Sequence, residues 1–175
     1  NDAEARHAIE TSQRYFNNIN LDLMYALPNQ TIEQAQADIE TACATGVSHI
    51  SAYHLTLEPN TLFYQCPPQL PDDELSADMQ ALIEQTLKNS GFARYEISAF
   101  AHSGHRSRHN LNYWKFGDYL GIGAGAHSKI SFRGKIIRQM RYKHPKKYLE
   151  VLLNHSNSPV QTEQELQTGD RIFEF

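Results

Sequence analysis

Residues 20–31 read NLDLMYALPNQT, and this stretch decides the class of fold. The apolar run at 19–25, which carries a single acid, is typical of a buried strand. The pair Pro28-Asn29 predicts a turn. Residues 31–34, TIEQ, have the form of a capping box, which opens a helix. The stretch therefore predicts a strand, a turn and a helix in direct succession.

The same alternation continues along the first hundred residues. Helices are predicted at 3–17, 31–46 and 75–89, and strands at 19–25, 49–57 and 94–100. Alternating strands and helices indicate an α/β fold, in which right-handed crossovers make neighbouring strands parallel. Functional groups in such folds lie at the carboxyl ends of strands. This rim would include Asp22, residues 53–56 and Glu96.

Asp22 is a carboxylate inside an otherwise apolar strand. A buried acid without partners is costly, so it needs hydrogen-bond donors or a ligand. Two interpretations stay open at this point. Asp22 is either a structural residue with satisfied hydrogen bonds or a polar contact to a cofactor at the mouth of a barrel.

The pattern changes near residue 100, which predicts a domain boundary. A polar loop leads to residues 109–114, a hairpin is predicted at 130–138 around Gly134, and a helix at 145–154. Residues 162–165, TEQE, have the form of a second capping box and predict a further helix. Because the chain opens within one predicted helix and stops within another, we expect it to be a fragment.

Composition excludes several classes of protein. The 175 residues carry 16 Lys or Arg against 20 Asp or Glu, a net charge of −4, so nucleic acid is not an expected partner. Two cysteines, Cys43 and Cys66, argue against a disulfide scaffold and for a reducing cytoplasm, and cannot hold an iron–sulfur cluster by themselves. No apolar run reaches transmembrane length, which leaves peripheral membrane association open.

Residues 109–114, HNLNYW, carry the most chemistry. Imidazole is a good ligand for haem iron, and Tyr and Trp offer flat faces to a porphyrin. The alternative is an amphipathic strand with a capping Asn and a core Trp. Three histidines at 102, 105 and 109 are spaced three and four apart, but they lie in a polar loop, which disfavours zinc.

Residues 121–127, GIGAGAH, follow within ten residues. Their glycines let the backbone approach a ligand closely. They match the dinucleotide-binding pattern formally, but that site needs a helix directly after the glycines and an acid about twenty residues later. Here the next segment, 128–138, is β-like, and residues 133–147 are basic without an acid. The dinucleotide interpretation therefore fails.

Four stretches in order resemble the coproporphyrinogen-oxidase-like radical-SAM family. These are residues 20–31, residues 55–61 (LTLEPNT), residues 95–100 (YEISAF) and residues 109–129. The resemblance covers essentially the whole chain and is greatest to the haem chaperones of that family. The HNxxYW pattern is not the expected sequence of the true oxidases, which favours a chaperone.

The resemblance implies an α/β fold, the C-terminal part of a partial (β/α)6 radical-SAM barrel followed by the start of a smaller C-terminal domain. Residues 1–95 would be the last barrel units, and 96–175 the haem-motif region and the start of the second domain. The family binds S-adenosyl-L-methionine and a 4Fe-4S cluster, but its three-cysteine cluster loop is not in this chain. Only Asp22 matches a family contact to S-adenosylmethionine. Ala26 stands where the family usually has Gly, so we expect a turn without positive φ there.

The resemblance also implies roles in the haem motif. His109 would ligate the haem iron, with His127 as the second candidate. Asn110 would orient the ligand or cap the loop, and Tyr113 and Trp114 would pack the porphyrin or the local core. The backbone of the glycine segment would line the cavity, through Gly121, Gly123 and Gly125.

The function implied is a haem chaperone that delivers haem to haem-requiring apo-proteins. The alternative is an oxygen-independent coproporphyrinogen III oxidase, an enzyme that makes protoporphyrinogen IX. A third interpretation is a plain α/β segment whose His109 motif is only structural.

Overall fold

A computed structural model of the chain describes residues 1–154 and 158–167. The chain divides into two compact units, residues 1–107 and residues 108–175. The first unit contains these elements: α1 (Asp2–Gln13), β1 (Asn20–Tyr25), α2 (Ile32–Ala44), β2 (His49–His54), α3 (Leu62–Gln65), α4 (Asp73–Asn89), β3 (Ala93–Glu96) and β4 (Ala99–Ala101). The alternation of strands and helices that the sequence predicts is confirmed through α4.

The four strands form one sheet in the order β1-β2-β4-β3. Strands β1 and β2 are parallel, as predicted, but β4 is antiparallel to both β2 and β3. The prediction of a single strand at 94–100 is wrong, because the chain turns at residues 97–98 and folds back as a hairpin. Strands joined by so short a turn can pair only antiparallel, since a parallel pair needs a long crossover.

Strand β1 shows why the first unit folds as it does. Leu21, Leu23 and Tyr25 face the core, while Asn20, Asp22 and Met24 lie exposed on the other face. This alternation follows from the two-residue period of a strand. The prediction that Asp22 is a buried acid is therefore wrong, because only one face of β1 is covered by helices.

The core lies between that covered face and two helices. Buried residues come from α2, α4 and strands β2 and β4: Ala35, Ile39, Ala42, Met79, Ile83, Leu87, Ile50, Ala52 and Phe100. Each helix starts at a side-chain cap, Thr31 for α2 and Asp72 for α4. Such caps satisfy backbone N–H groups that the first turn leaves free.

The turn after β1 departs from expectation. Ala26 has a φ of 57°, so the predicted absence of a positive φ at this position is wrong. Gln30 holds the turn, because its side-chain oxygen accepts from the Leu27 N–H at 3.1 Å and its amide donates to Asp38 at 2.9 Å. The turn keeps its shape through these bonds and carries the strain of a buried alanine in the left-handed region.

The second unit begins with α5 (Arg108–Trp114) and continues with β5 (His127–Phe132), β6 (Lys135–Arg141), α6 (Pro145–Leu153) and β7 (Val160–Glu165). Its three strands form an antiparallel sheet in the order β5-β6-β7. The predicted hairpin is confirmed. Arg133 and Gly134 both have positive φ, 50° and 78°, as a two-residue type I′ turn requires.

The prediction of a helix at the end of the chain is wrong for residues 162–165. Residues 162–165 belong to β7, which pairs with β6. The remainder of that predicted helix, residues 168–175, lies outside the described residues. The two units separate after residue 107, a few residues beyond the change of pattern near residue 100. The family resemblance implies a barrel boundary at 95, which lies within β3, and the barrel assignment of 1–95 stays a prediction. No helix in the described part of the chain is long and apolar enough to cross a membrane.

Candidate functional site

The HNLNYW motif forms the short helix α5 rather than a strand. Residues four apart share a face of a helix, and the rings of His109 and Tyr113 accordingly meet, with centroids 4.7 Å apart at 63°. His109 is exposed, and Tyr113 and Trp114 are half exposed, at 45% and 50%. The interpretation of Trp114 as a core residue is therefore wrong. Asn110 is partly buried beside them.

The imidazole of His109 is accessible at the surface of α5. Among the described residues, the side chain of His109 contacts the Tyr113 ring, and neither ring nitrogen of His109 is hydrogen-bonded. A neutral imidazole with an unengaged nitrogen can offer a lone pair to a metal. His127, the second candidate, is also exposed, at the first position of β5.

A second aromatic contact joins the helix to the sheet of the same unit. The Tyr113 ring lies 4.8 Å from the Tyr119 ring. Tyr119 is bridged to Lys129 of β5 by two backbone hydrogen bonds of 2.9 and 3.0 Å, and its hydroxyl accepts from Arg138 at 3.2 Å. The three rings of His109, Tyr113 and Tyr119 therefore run from the exposed face of α5 onto β5.

The segment after α5 is fixed by a carboxylate. Asp118 accepts from the Ser131 N–H at 2.7 Å, from the Ser131 hydroxyl at 2.8 Å and from the Lys129 ammonium at 3.1 Å. These bonds, those from Ser131 first, hold the pKa of Asp118 below its ordinary value. Neither Asp118 nor Lys129 was among the predicted site residues.

The glycine segment is shaped by its own backbone. A Cβ on Gly121 would lie 2.1 Å from the carbonyl oxygen of His127, so only glycine allows this close approach. The Gly121 carbonyl accepts from Arg141 at 2.6 Å. Gly123 and Gly125 have positive φ, 101° and 74°. Strand β5 follows directly, which agrees with rejecting a dinucleotide site; the lining of a cavity by these glycines stays a prediction.

Asp22 lies in the first unit, on the exposed face of β1. It accepts from the Asn20 amide at 2.8 Å. The Asn20 oxygen in turn accepts from the Ser51 hydroxyl at 3.0 Å and from Nδ1 of His49 at 2.6 Å. Nε2 of His49 is hydrogen-bonded to the Tyr95 hydroxyl. Asp22 is therefore the exposed end of a polar network that runs across the sheet.

The network fixes the proton of His49. Since the Asn20 oxygen can only accept, Nδ1 of His49 donates and Nε2 accepts from Tyr95, whose oxygen accepts from the Ser107 N–H at 3.1 Å. His49 is 4% exposed, and this burial lowers its pKa, against a smaller opposing effect of Asp22. His49 is not among the predicted site residues, because no local spacing in the sequence joins it to Asn20 or Tyr95.

The family resemblance implies two cofactors, S-adenosylmethionine and a 4Fe-4S cluster. An exposed carboxylate, oriented by Asn20, fits a polar contact to S-adenosylmethionine. A 4Fe-4S cluster does not fit this chain, because Cys43 is partly buried in α2, Cys66 follows α3, and there is no third cysteine. No group of three or more potential metal-ligating side chains occurs in the described part of the chain.

The chain is similar in sequence and in fold to known proteins. No family model matches it. It is 46% identical to the heme chaperone HemW of Haemophilus influenzae, covering 100% of this chain and 45% of that protein. It is 42% identical to HemW of Escherichia coli, covering 89% of this chain and 40% of that protein. This is a HemW-type sequence.

The HemW-type chain spans less than half the length of these relatives. A solved structure, coproporphyrinogen III oxidase (HemN) from Escherichia coli, described as a radical SAM enzyme, matches its fold with a TM-score of 0.75. That match covers 99% of this chain and 43% of the other, at 18% identity. This likeness in fold confirms the fold class predicted from the family resemblance.

Proposed function

We propose that this HemW-type chain carries the haem site of a cytoplasmic haem chaperone, which receives haem through His109 and passes it to haem-requiring apo-proteins. The observation that supports this most is the exposed imidazole of His109 on α5, in edge-on contact with the ring of the half-exposed Tyr113. The relatives named heme chaperones are similar over the whole chain, this helix included.

Three of the seven residues of α5 have a stated part in this proposal. A ring nitrogen of His109 ligates the iron, and the Tyr113 ring restricts how the imidazole can rotate. The half-exposed faces of Tyr113 and Trp114 pack against the apolar porphyrin. A surface ligand also suits a carrier, because haem held at one exposed face can leave without unfolding the protein.

His109→Ala in the complete protein tests the ligand. We expect the Soret band of added haem to weaken and shift, because the variant loses the nitrogen that binds iron. His127→Ala is the matched control, since it removes another exposed histidine of the same unit. Unchanged haem binding by His109→Ala, together with a loss in His127→Ala, would assign the iron to His127 instead.

We further propose that Asp22 contacts S-adenosylmethionine in the complete protein, where a 4Fe-4S cluster would be held by residues outside this chain. The cofactor would supply a reactive methionine-bound adenosyl group; Asp22 would only bind and orient it. Asp22→Asn keeps the size of the side chain but removes its charge. Equilibrium dialysis with S-adenosylmethionine should then show weaker binding, and equal binding would reject the contact.

The second candidate function is oxidative decarboxylation of coproporphyrinogen III to protoporphyrinogen IX. The likeness in fold to HemN favours it. The complete protein, with its cluster intact, would be incubated anaerobically with coproporphyrinogen III, S-adenosylmethionine, a one-electron reductant for the cluster and a one-electron acceptor for the substrate. Formation of protoporphyrinogen IX would establish the enzyme; an unchanged substrate pool leaves the chaperone as the function of the site.

A further inference from the structure

Lys129 is the most buried charged side chain among the described residues, with 2% exposed. Its ammonium donates to the Phe116 carbonyl at 2.7 Å and to Asp118 at 3.1 Å, and lies 3.5 Å from the Gly117 carbonyl. It also lies 3.7 Å from the centre of the Phe116 ring. A buried ammonium is unfavourable unless its hydrogens find acceptors, and here all three do.

These acceptors form the end of α5. The Phe116 N–H donates to the Tyr113 carbonyl at 2.9 Å, and the Gly117 N–H donates to the Asn112 carbonyl at 2.7 Å. This pair of bonds is a Schellman motif, whose left-handed position is usually Gly. Here it is Phe116, with a φ of 54°. Lys129 holds both the carbonyl and the ring of this strained residue.

Helix α5 has seven residues, too few to be stable alone, so its direction depends on what anchors its end. Lys129 provides that anchor from β5. Asp118 strengthens it, because its carboxylate joins Lys129 to Ser131 while its carbonyl accepts from the Asn112 amide at 3.0 Å. The last turn of α5 is therefore fixed to β5 by one buried cation.

We propose that Lys129 is a positioning residue for haem ligation: by fixing the end of α5 on β5, it sets the orientation of His109. This rests on the proposed function. The link is short, because the Tyr113 carbonyl closes the Schellman motif and the Tyr113 ring contacts His109. Lys129 does not itself touch haem; it acts through the helix.

Lys129→Met in the complete protein is the test, since it keeps an unbranched side chain only one atom shorter and removes the ammonium. We expect the haem Kd to rise about ten- to hundredfold, the range for loss of a residue that orients a metal ligand. The electron paramagnetic resonance spectrum of the bound ferric haem should become a mixture of ligation states. Lys135→Met is the control, because Lys135 lies exposed on β6 in an ion pair with Glu165; its Kd should stay within about twofold.

Three outcomes separate the proposals. A wild type whose haem binding does not depend on His109 overturns both this inference and the proposed ligand. Haem binding that depends on His109, with an unchanged Kd and spectrum in folded Lys129→Met, overturns this inference alone. A lower melting temperature with an unchanged spectrum of bound haem assigns Lys129 a purely structural role, and also overturns it.

A second variant covers a Lys129→Met protein that does not fold. Asp118→Asn removes the charge of the ion pair with Lys129 and one of the two oxygens that accept from Lys129 and Ser131. The Asp118 side chain is 44% exposed, so the fold should tolerate the change. We expect the same change in the ligation spectrum with a smaller rise in Kd, about threefold, since the Phe116 carbonyl still accepts from Lys129. A wild-type spectrum in folded Asp118→Asn would overturn the inference.

Discussion

Ala26 is a buried residue in the left-handed region, with 2% exposed and a φ of 57°. An L-residue there is strained by about 1–2 kcal/mol. Ala26→Gly releases this strain, but loses about 0.8 kcal/mol of methyl burial and gains unfolded-chain entropy. We therefore expect the free energy of unfolding, measured by urea titration, to change by less than about 0.5 kcal/mol.

Ala35→Gly is the matched control, because Ala35 is equally buried but lies inside α2. It releases no strain, so the helix penalty and the lost methyl burial add to about 1.5–2 kcal/mol of destabilisation. Equal losses in the two variants would show that the φ of Ala26 carries no strain.

At the scale of elements, the network around His49 connects β1, β2 and β3. Burial lowers the pKa of His49 in the folded state below 6.5, so the unfolded chain binds more protons just below that pH. Its contribution to stability is therefore complete above about pH 6.5 and is lost as the pH falls through the lowered folded value.

His49→Gln should reduce this pH dependence. Urea unfolding at pH 7.5 and pH 5.5 should give a smaller difference in free energy for the variant than for the wild type, because the titrating group is gone. His7→Gln removes an exposed histidine of α1 and should leave the difference unchanged. A variant with the wild-type difference would place the titration elsewhere.

Local sequence signals correctly predicted the elements whose formation depends mainly on interactions between neighbouring residues. The capping box at 31–34 is present, with Thr31 accepting from the Gln34 N–H at 3.3 Å and Gln34 accepting from the Thr31 N–H at 2.9 Å. The TEQE pattern at 162–165 looks the same in sequence, yet it forms β7. Strand β6 offers it a pairing partner, and such long-range pairing overrides local preference.

The candidate site, too, could be predicted from the sequence only in part. Once the motif is helical, the four-residue spacing of His109 and Tyr113 brings their rings into contact. The sequence alone, however, did not decide between a helix and a strand for this motif. The anchor could not be predicted. Lys129 meets Phe116 and Asp118 only because the intervening loop returns the chain to the end of α5, and no periodicity joins residues 11 or 13 apart in this way.

At the scale of the whole chain, the buried apolar residues are distributed unevenly. Of the described residues, the second unit contributes only Val151 and Leu166 to the buried hydrophobic set, and all others belong to the first unit. Fewer buried apolar contacts mean a lower free energy of local opening. We expect backbone amides of β5 and β6 to exchange with solvent faster than those of β1 and β2 in the complete protein without haem.

Haem should slow the amide exchange of only part of the chain. A ligand that binds only the folded form stabilises the part that holds it, so at a free haem concentration of about 100 Kd, exchange through opening of that part should slow about a hundredfold. If His109 and its anchor hold haem, the protection falls on α5 and β5, which Lys129 joins, while the amides of β1 and β2 keep their rates. Hydrogen exchange followed by mass spectrometry measures both sets in one sample. His109→Ala should show no protection at the same haem concentration, and protection spread equally over both units would contradict a haem site confined to the second.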